Sequence, residues 1–157
     1  MEDKRFRRAV WILFLIYLAV LLLLLFHRLP REGHAYNLRP FTTIRDYFLV
    51  MRMQAPWESA LRAYGWVNFL GNVLVFIPLG VFLPLLFRRQ RRFLLFLLTV
   101  VAAVCLIELA QYATRLGALD VDDLILNVPG ACLGWLLWRL WERRRAAERD
   151  DGDGPVD

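Results

Sequence analysis

The sequence predicts an all-α membrane protein: four transmembrane helices, both termini on the cytoplasmic side, and a short interfacial helix in the first outer loop. Three observations carry this. Residues of the AVILMFWYC set make up 59% of the 157, against roughly 45–50% apolar in a soluble domain. The surplus is gathered into four runs, each long enough to cross a hydrocarbon core of about 30 Å. The basic residues crowd the ends of those runs.

The length suits one domain. The formal net charge of +5 does not indicate nucleic acid as a partner, because the arginines flank apolar runs instead of lining one polar face. Anionic lipid headgroups are their expected partner. Cys105 and Cys132 sit inside apolar runs with no Cys-x-x-Cys spacing, so they read as packing residues.

Residues 1–8 form a basic cytoplasmic N-terminus. The first span, about 9–26, is longer than a signal-peptide core and ends in Phe26-His27-Arg28 with no small-residue cleavage site, which predicts an uncleaved helix. The second span is about 66–87, the third 93–114 and the fourth 124–141. In lipid each must satisfy its own backbone hydrogen bonds, so each is expected to be helical. Together they make a membrane domain over 9–142. The charged tail, 143–157, ends Asp-Gly-Asp-Gly-Pro-Val-Asp and is expected to be disordered.

Orientation follows from the 20 basic residues. Thirteen fall at the start, in the link Arg88-Arg89-Gln90-Arg91-Arg92, and from Arg139 onward; seven fall on the other side. The richer side is expected to be cytoplasmic, which places the chain as a multi-pass protein of the bacterial cell (inner) membrane. The long outer connection from His27 to Gly65 contains Pro30, Pro40 and Pro56, so it is not one helix. Within it, Thr42 to Gln54 spaces Ile44, Phe48 and Met51 as one face of an amphipathic helix on the outer leaflet. A loop packed over the bundle is the alternative.

Polar groups inside spans are costly and mark candidate sites. Asn68 and Asn72 share one face of span two. Glu108 and Gln111 share one face of span three, with Arg115 two turns beyond Glu108. Asp120 lies outside span four, Asp122 and Asp123 open it, and Asn127 follows one turn later. Asn72, Glu108 and Asn127 all fall roughly 5–9 Å below the outer edge at about 1.5 Å per residue. Tyr17 in span one sits too deep to join them. The competing reading is interhelical glue, each contact worth about 0.6–2 kcal/mol, with the aspartates a solvated, helix-capping rim. Gly130 and Gly134 form a Gly-x-x-x-Gly pair that permits close helix approach. Pro78, Pro84 and Pro129 free carbonyls at Leu74, Gly80 and Ile125.

Several of these stretches resemble the VanZ-like family of membrane proteins. They are Asn37-Leu38-Arg39-Pro40-Phe41 with Thr43-Ile44, Asn68 through Gly71-Asn72 to Pro78-Leu79-Gly80, Glu108-Leu109-Ala110-Gln111, and Arg115 with Asp120-Val121-Asp122-Asp123 to Asn127 and Gly130. Val104-Cys105 departs from the family, which often has a serine shortly before the glutamate. The resemblance implies a multi-pass bacterial membrane protein, adds Asn37, Pro40 and Phe41 as an outer-loop motif, and links the chain by analogy to teicoplanin-type glycopeptide resistance.

Three functions stay open. The first is a binding or accessory protein whose acidic, amide-rich pocket takes a polar headgroup, a cell-envelope precursor or a glycopeptide. The second is a metal-assisted enzyme on a lipid-linked substrate, with Glu108, Asp122 and Asp123 as ligands. No nucleophile is evident for it, and His27 and His34 have no patterned partner. The third is a small oligomeric transporter or structural partner. No cofactor is expected.

Overall fold

The computed structural model describes residues 4–27, 35–52 and 59–152. In chain order they form α1 (Lys4–Phe26), the two-residue strand β1 (Tyr36–Asn37), α2 (Thr42–Met51), α3 (Ser59–Leu86), a 3-10 turn (Arg88–Arg91), α4 (Phe93–Thr114), β2 (Leu119–Asp120) and α5 (Val121–Gly152). The helices α1, α3, α4 and α5 are long and apolar enough to cross a membrane.

The helix ends depart from the sequence reading where charge meets helix propensity. α1 begins within the basic cluster, since Lys and Arg are good helix formers and their stems reach polar surroundings from an apolar helix. α5 starts at Val121 instead of Leu124 and runs through the expected disordered tail as far as Gly152. Its extension, Glu142-Arg143-Arg144-Arg145-Ala146-Ala147-Glu148, is made of strong helix formers that continue an already nucleated helix. Residues 153–157 lie outside the described residues, as do Pro30, His34 and Pro56.

The centre of the molecule is the pairing of α3 with α5. The two run parallel, with Gly130 against the Val73 carbonyl, Gly134 against the Ile77 carbonyl, and Gly80 against Ala131 and Trp135. A Cβ at any of the three glycines would overlap backbone atoms of the facing helix. The glycine spacing is thus a backbone-on-backbone contact, and Gly80 is its third member. Ala131 is fully buried in the same seam.

α4 contributes a stripe at helical spacing, Phe96, Val100, Val104, Glu108 and Gln111, all buried. The stripe changes from apolar to polar near its C-terminal end, which is where the site lies. Its opposite face, including Leu94, Leu98, Leu106 and Cys105, is exposed for lipid, so Cys105 is not a packing residue.

α1 rests on α3 through Phe14 against Phe82 (ring centroids 5.6 Å apart) and on the residue just past the end of α3 through Trp11 against Phe87 (5.5 Å). Tyr17 donates its hydroxyl hydrogen to the Val75 carbonyl oxygen at 2.8 Å, one residue beyond the carbonyl that Pro78 frees. Tyr17→Phe is expected to lower stability by about 0.6 kcal/mol, the usual size of a hydrogen bond between membrane helices. Unfolding in mixed detergent micelles measures it; a loss above about 2 kcal/mol would show that the hydroxyl does more than join α1 to α3.

Candidate functional site

The three aspartates at the head of α5 have three different tasks. Asp120 is the N-cap: its Oδ1 accepts the Asp122 N–H at 2.9 Å. Its Oδ2 accepts the Thr43 hydroxyl at 2.6 Å, and its Oδ1 also accepts from Asn37 Nδ2 at 3.1 Å. Asn37 Nδ2 donates to Thr43 Oγ1 as well, at 3.0 Å, closing a triangle. Backbone pairing reinforces it, because β1 and β2 run parallel with Tyr36 opposite Leu119 and Asn37 opposite Asp120.

Asp122 is fully buried and caps a helix to which it does not belong. α2 has no side-chain cap of its own and no acid in its first turn. Asp122 supplies both: Oδ1 accepts the Phe41 N–H at 2.6 Å, and Oδ2 accepts those of Thr43 at 2.7 Å and Ile44 at 3.1 Å. The carboxylate satisfies orphan N–H groups and sits at the positive end of the α2 dipole. Phe41, at φ 65°, is the left-handed residue that turns the chain from Pro40 into this helix. The solvated-rim reading of Asp120 and Asp122 is therefore corrected: both are buried and committed to joining the β1–α2 segment to α5.

Two buried polar groups of α4 serve the same end of the bundle. Glu108 Oε2 accepts the Asp120 N–H at 3.0 Å. Gln111 Nε2 donates to the Leu25 carbonyl at 2.9 Å, meeting an acceptor left open at the end of α1. Arg115 does not pair with Glu108. It is exposed, and its backbone at φ 60° ends α4 and turns the chain toward β2. Asn127 is buried, and its side-chain oxygen has no partner among the described residues.

Asp123, Asn68 and Asn72 face a hollow of about 370 Å³ together with Asn37, Thr43, Tyr47 and Asp120. Asn72 Nδ2 donates to Asp123 Oδ1 at 2.7 Å. α2 closes one wall, held to α3 by Phe48 against Phe69 at 5.3 Å between ring centroids. Thr43 and Tyr47 project from one face of α2 into the hollow. Tyr47 is absent from the residues proposed by sequence, although its i, i+4 relation to Thr43 was the signal that could have found it. Five of the proposed residues thus share one cavity: Asn37, Asn68, Asn72, Asp120 and Asp123. Glu108, Gln111, Arg115, Asn127, Asp122, Pro40 and Phe41 lie outside its lining; of these, Glu108, Asp122 and Phe41 belong to the hydrogen-bonded clasp beside it.

Of the three candidate metal ligands, Asp122 has both oxygens engaged by backbone N–H groups. Among the described residues, no three His, Cys, Asp or Glu side chains come together at metal-binding spacing.

A comparison with protein-family models matches residues 14–142 to VanZ/LLP1. The chain belongs to the VanZ/LLP1 family. The match covers residues 14–142, from within the first span to the end of the fourth, and confirms the resemblance drawn from the motifs. In this VanZ/LLP1 membrane protein the motif residues Asn37, Glu108, Asp120 and Asp122 form one hydrogen-bonded clasp, and Asn68, Asn72 and Asp123 line the hollow beside it. Nothing matches the chain among curated proteins or solved structures.

Proposed function

We propose that this VanZ/LLP1 protein binds a hydroxyl- or amine-bearing headgroup, of a cell-envelope lipid precursor or at one end of a glycopeptide, in the hollow between α2, α3 and α5. The supporting observation is its lining: two carboxylates, three amides, a threonine hydroxyl and two tyrosines around about 370 Å³. Carboxylates and amides accept from sugar hydroxyls and amines, and the clasp fixes them before a ligand arrives. The volume is at the small end of ligand pockets, which suits a headgroup and not a whole glycopeptide. By the charge distribution this end faces away from the cytoplasm.

The test uses purified protein in phosphatidylcholine nanodiscs, titrated with a short-chain lipid-linked amino sugar and, separately, with teicoplanin. Wild-type protein should bind at least one saturably. Asp123→Asn with Asn72→Ala should weaken that binding about tenfold to a hundredfold, as expected on losing a hydrogen bond to a charged group. Glu108→Gln is unsuitable as the primary probe, because Glu108 anchors the Asp120 backbone. Undiminished binding in the double variant, or no binding of either probe to wild type, refutes the proposal.

A further inference from the structure

The opposite end of the bundle holds a second cavity, of about 610 Å³. It forms where the start of α1, the turn after α3 and the end of α5 meet. Four guanidinium groups line it, Arg7, Arg88, Arg91 and Arg145, against a single carboxylate, Glu142. Phe6 and Val10 of α1 and Leu85 and Leu86 of α3 add apolar groups to the lining.

The four arginines are not equivalent. Arg91 pairs with Glu142 at 3.4 Å and lies over the Trp138 ring at 5.7 Å. Arg145 stacks on Trp141 at 4.7 Å. These two are held in place by their neighbours. Arg7 and Arg88, from different elements, reach the same cavity exposed and without an ion pair among the described residues. Drawing like charges together costs free energy unless an anion occupies the space between them. Guanidinium groups match phosphate oxygens in bidentate geometry.

We propose that this cavity is a binding site for the phosphate of an anionic phospholipid. Those apolar residues are the reason for choosing a lipid over a soluble phosphate: Phe6 is itself exposed, and Leu13 and Ile16, one and two turns beyond Val10 on α1, are exposed for acyl chains. Basic pockets between membrane helices commonly hold such headgroups on the cytoplasmic side, the side to which the basic residues assign this end. The site is independent of the hollow near Asp123.

The experiment is native mass spectrometry of the full chain, delipidated in neutral detergent and titrated with phosphatidylglycerol, phosphatidylcholine or inorganic phosphate. Wild-type protein should retain phosphatidylglycerol at least tenfold more tightly than phosphatidylcholine. Arg7→Gln with Arg88→Gln should reduce that binding about thirtyfold, from roughly a factor of five for each arginine. Arg45→Gln with Arg52→Gln, which removes the same charge away from this cavity, should leave it unchanged. Equal losses in the two double variants would show a bulk charge effect and overturn the site. So would the lack of a preference for the anionic lipid. Displacement of the lipid by millimolar inorganic phosphate would overturn the assignment of a lipid occupant. Should the glutamine pair fail to fold, Arg88→Lys retains the charge, and loss of at least threefold in binding is then the expected result; no loss overturns the bidentate contact.

Discussion

Gly134→Leu is expected to force α3 and α5 apart and abolish the stable fold. At Gly134 the Ile77 carbonyl already occupies the space that a Cβ needs. The obstacle is backbone, so no rotamer change relieves it, and the helices must separate along the seam that buries Ala131. Overpacking a core costs roughly 1–3 kcal/mol where side chains can adjust; here the cost should reach or exceed the top of that range. Gly130→Leu should behave alike, against the Val73 carbonyl. Gly71→Ala is the control, since nothing lies within 4 Å of a Cβ there, and a change within about 0.5 kcal/mol is expected. Thermal unfolding in detergent and the yield of monodisperse protein report both. A Gly134→Leu variant as stable as wild type would mean that α3 and α5 do not pack through their backbones.

Asp122→Ala is expected to release α2 while leaving the spans folded. The substitution removes the acceptor for three backbone N–H groups at once, that of the N-cap Phe41 and two in the first turn of α2. Hydrogen bonds to charged groups contribute about 1.5–3 kcal/mol each, and an unsatisfied buried donor costs about 1–3 kcal/mol. Because water can reach α2 once it detaches, the net loss should settle near 3 kcal/mol. Hydrogen exchange should then accelerate across residues 41–51 and remain slow in α4. Asp122→Asn retains one good acceptor and should fall between. Unchanged protection of α2 in Asp122→Ala would remove the trans-capping role. Binding in the hollow should weaken in the same variant, because α2 carries Thr43 and Tyr47.

These two sites differ in how far they can be read from sequence. The Gly-x-x-x-Gly pair announces close approach by some helix, but neither the partner nor Gly80 is evident until α3 lies parallel to α5. The aspartates are less legible. An Asp before a helix reads as its cap, and Asp120 is that. The role of Asp122 depends on a helix 80 residues earlier in the chain, whose N-terminus arrives there only after the bundle has formed. A run of three carboxylates looks alike whether its members cap, anchor or bind. Asn68 and Asn72 carry a clearer signal, because two amides one turn apart in an apolar span have little to do except meet a partner or a ligand.

By itself the sequence determined that the chain enters the membrane, how many times it can cross, where α4 begins and ends, and which family it belongs to. Those properties rest on local quantities: the length of an apolar run, the charge at its ends, and the order of short motifs. Tertiary structure alone decided that Asp122 caps α2, that Glu108 holds the Asp120 backbone, that Arg115 stands apart from Glu108, and that arginines from three elements share a cavity. Such pairings depend on which helix faces are brought together, and hydropathy within a span, nearly uniform around the helix, carries little record of that choice.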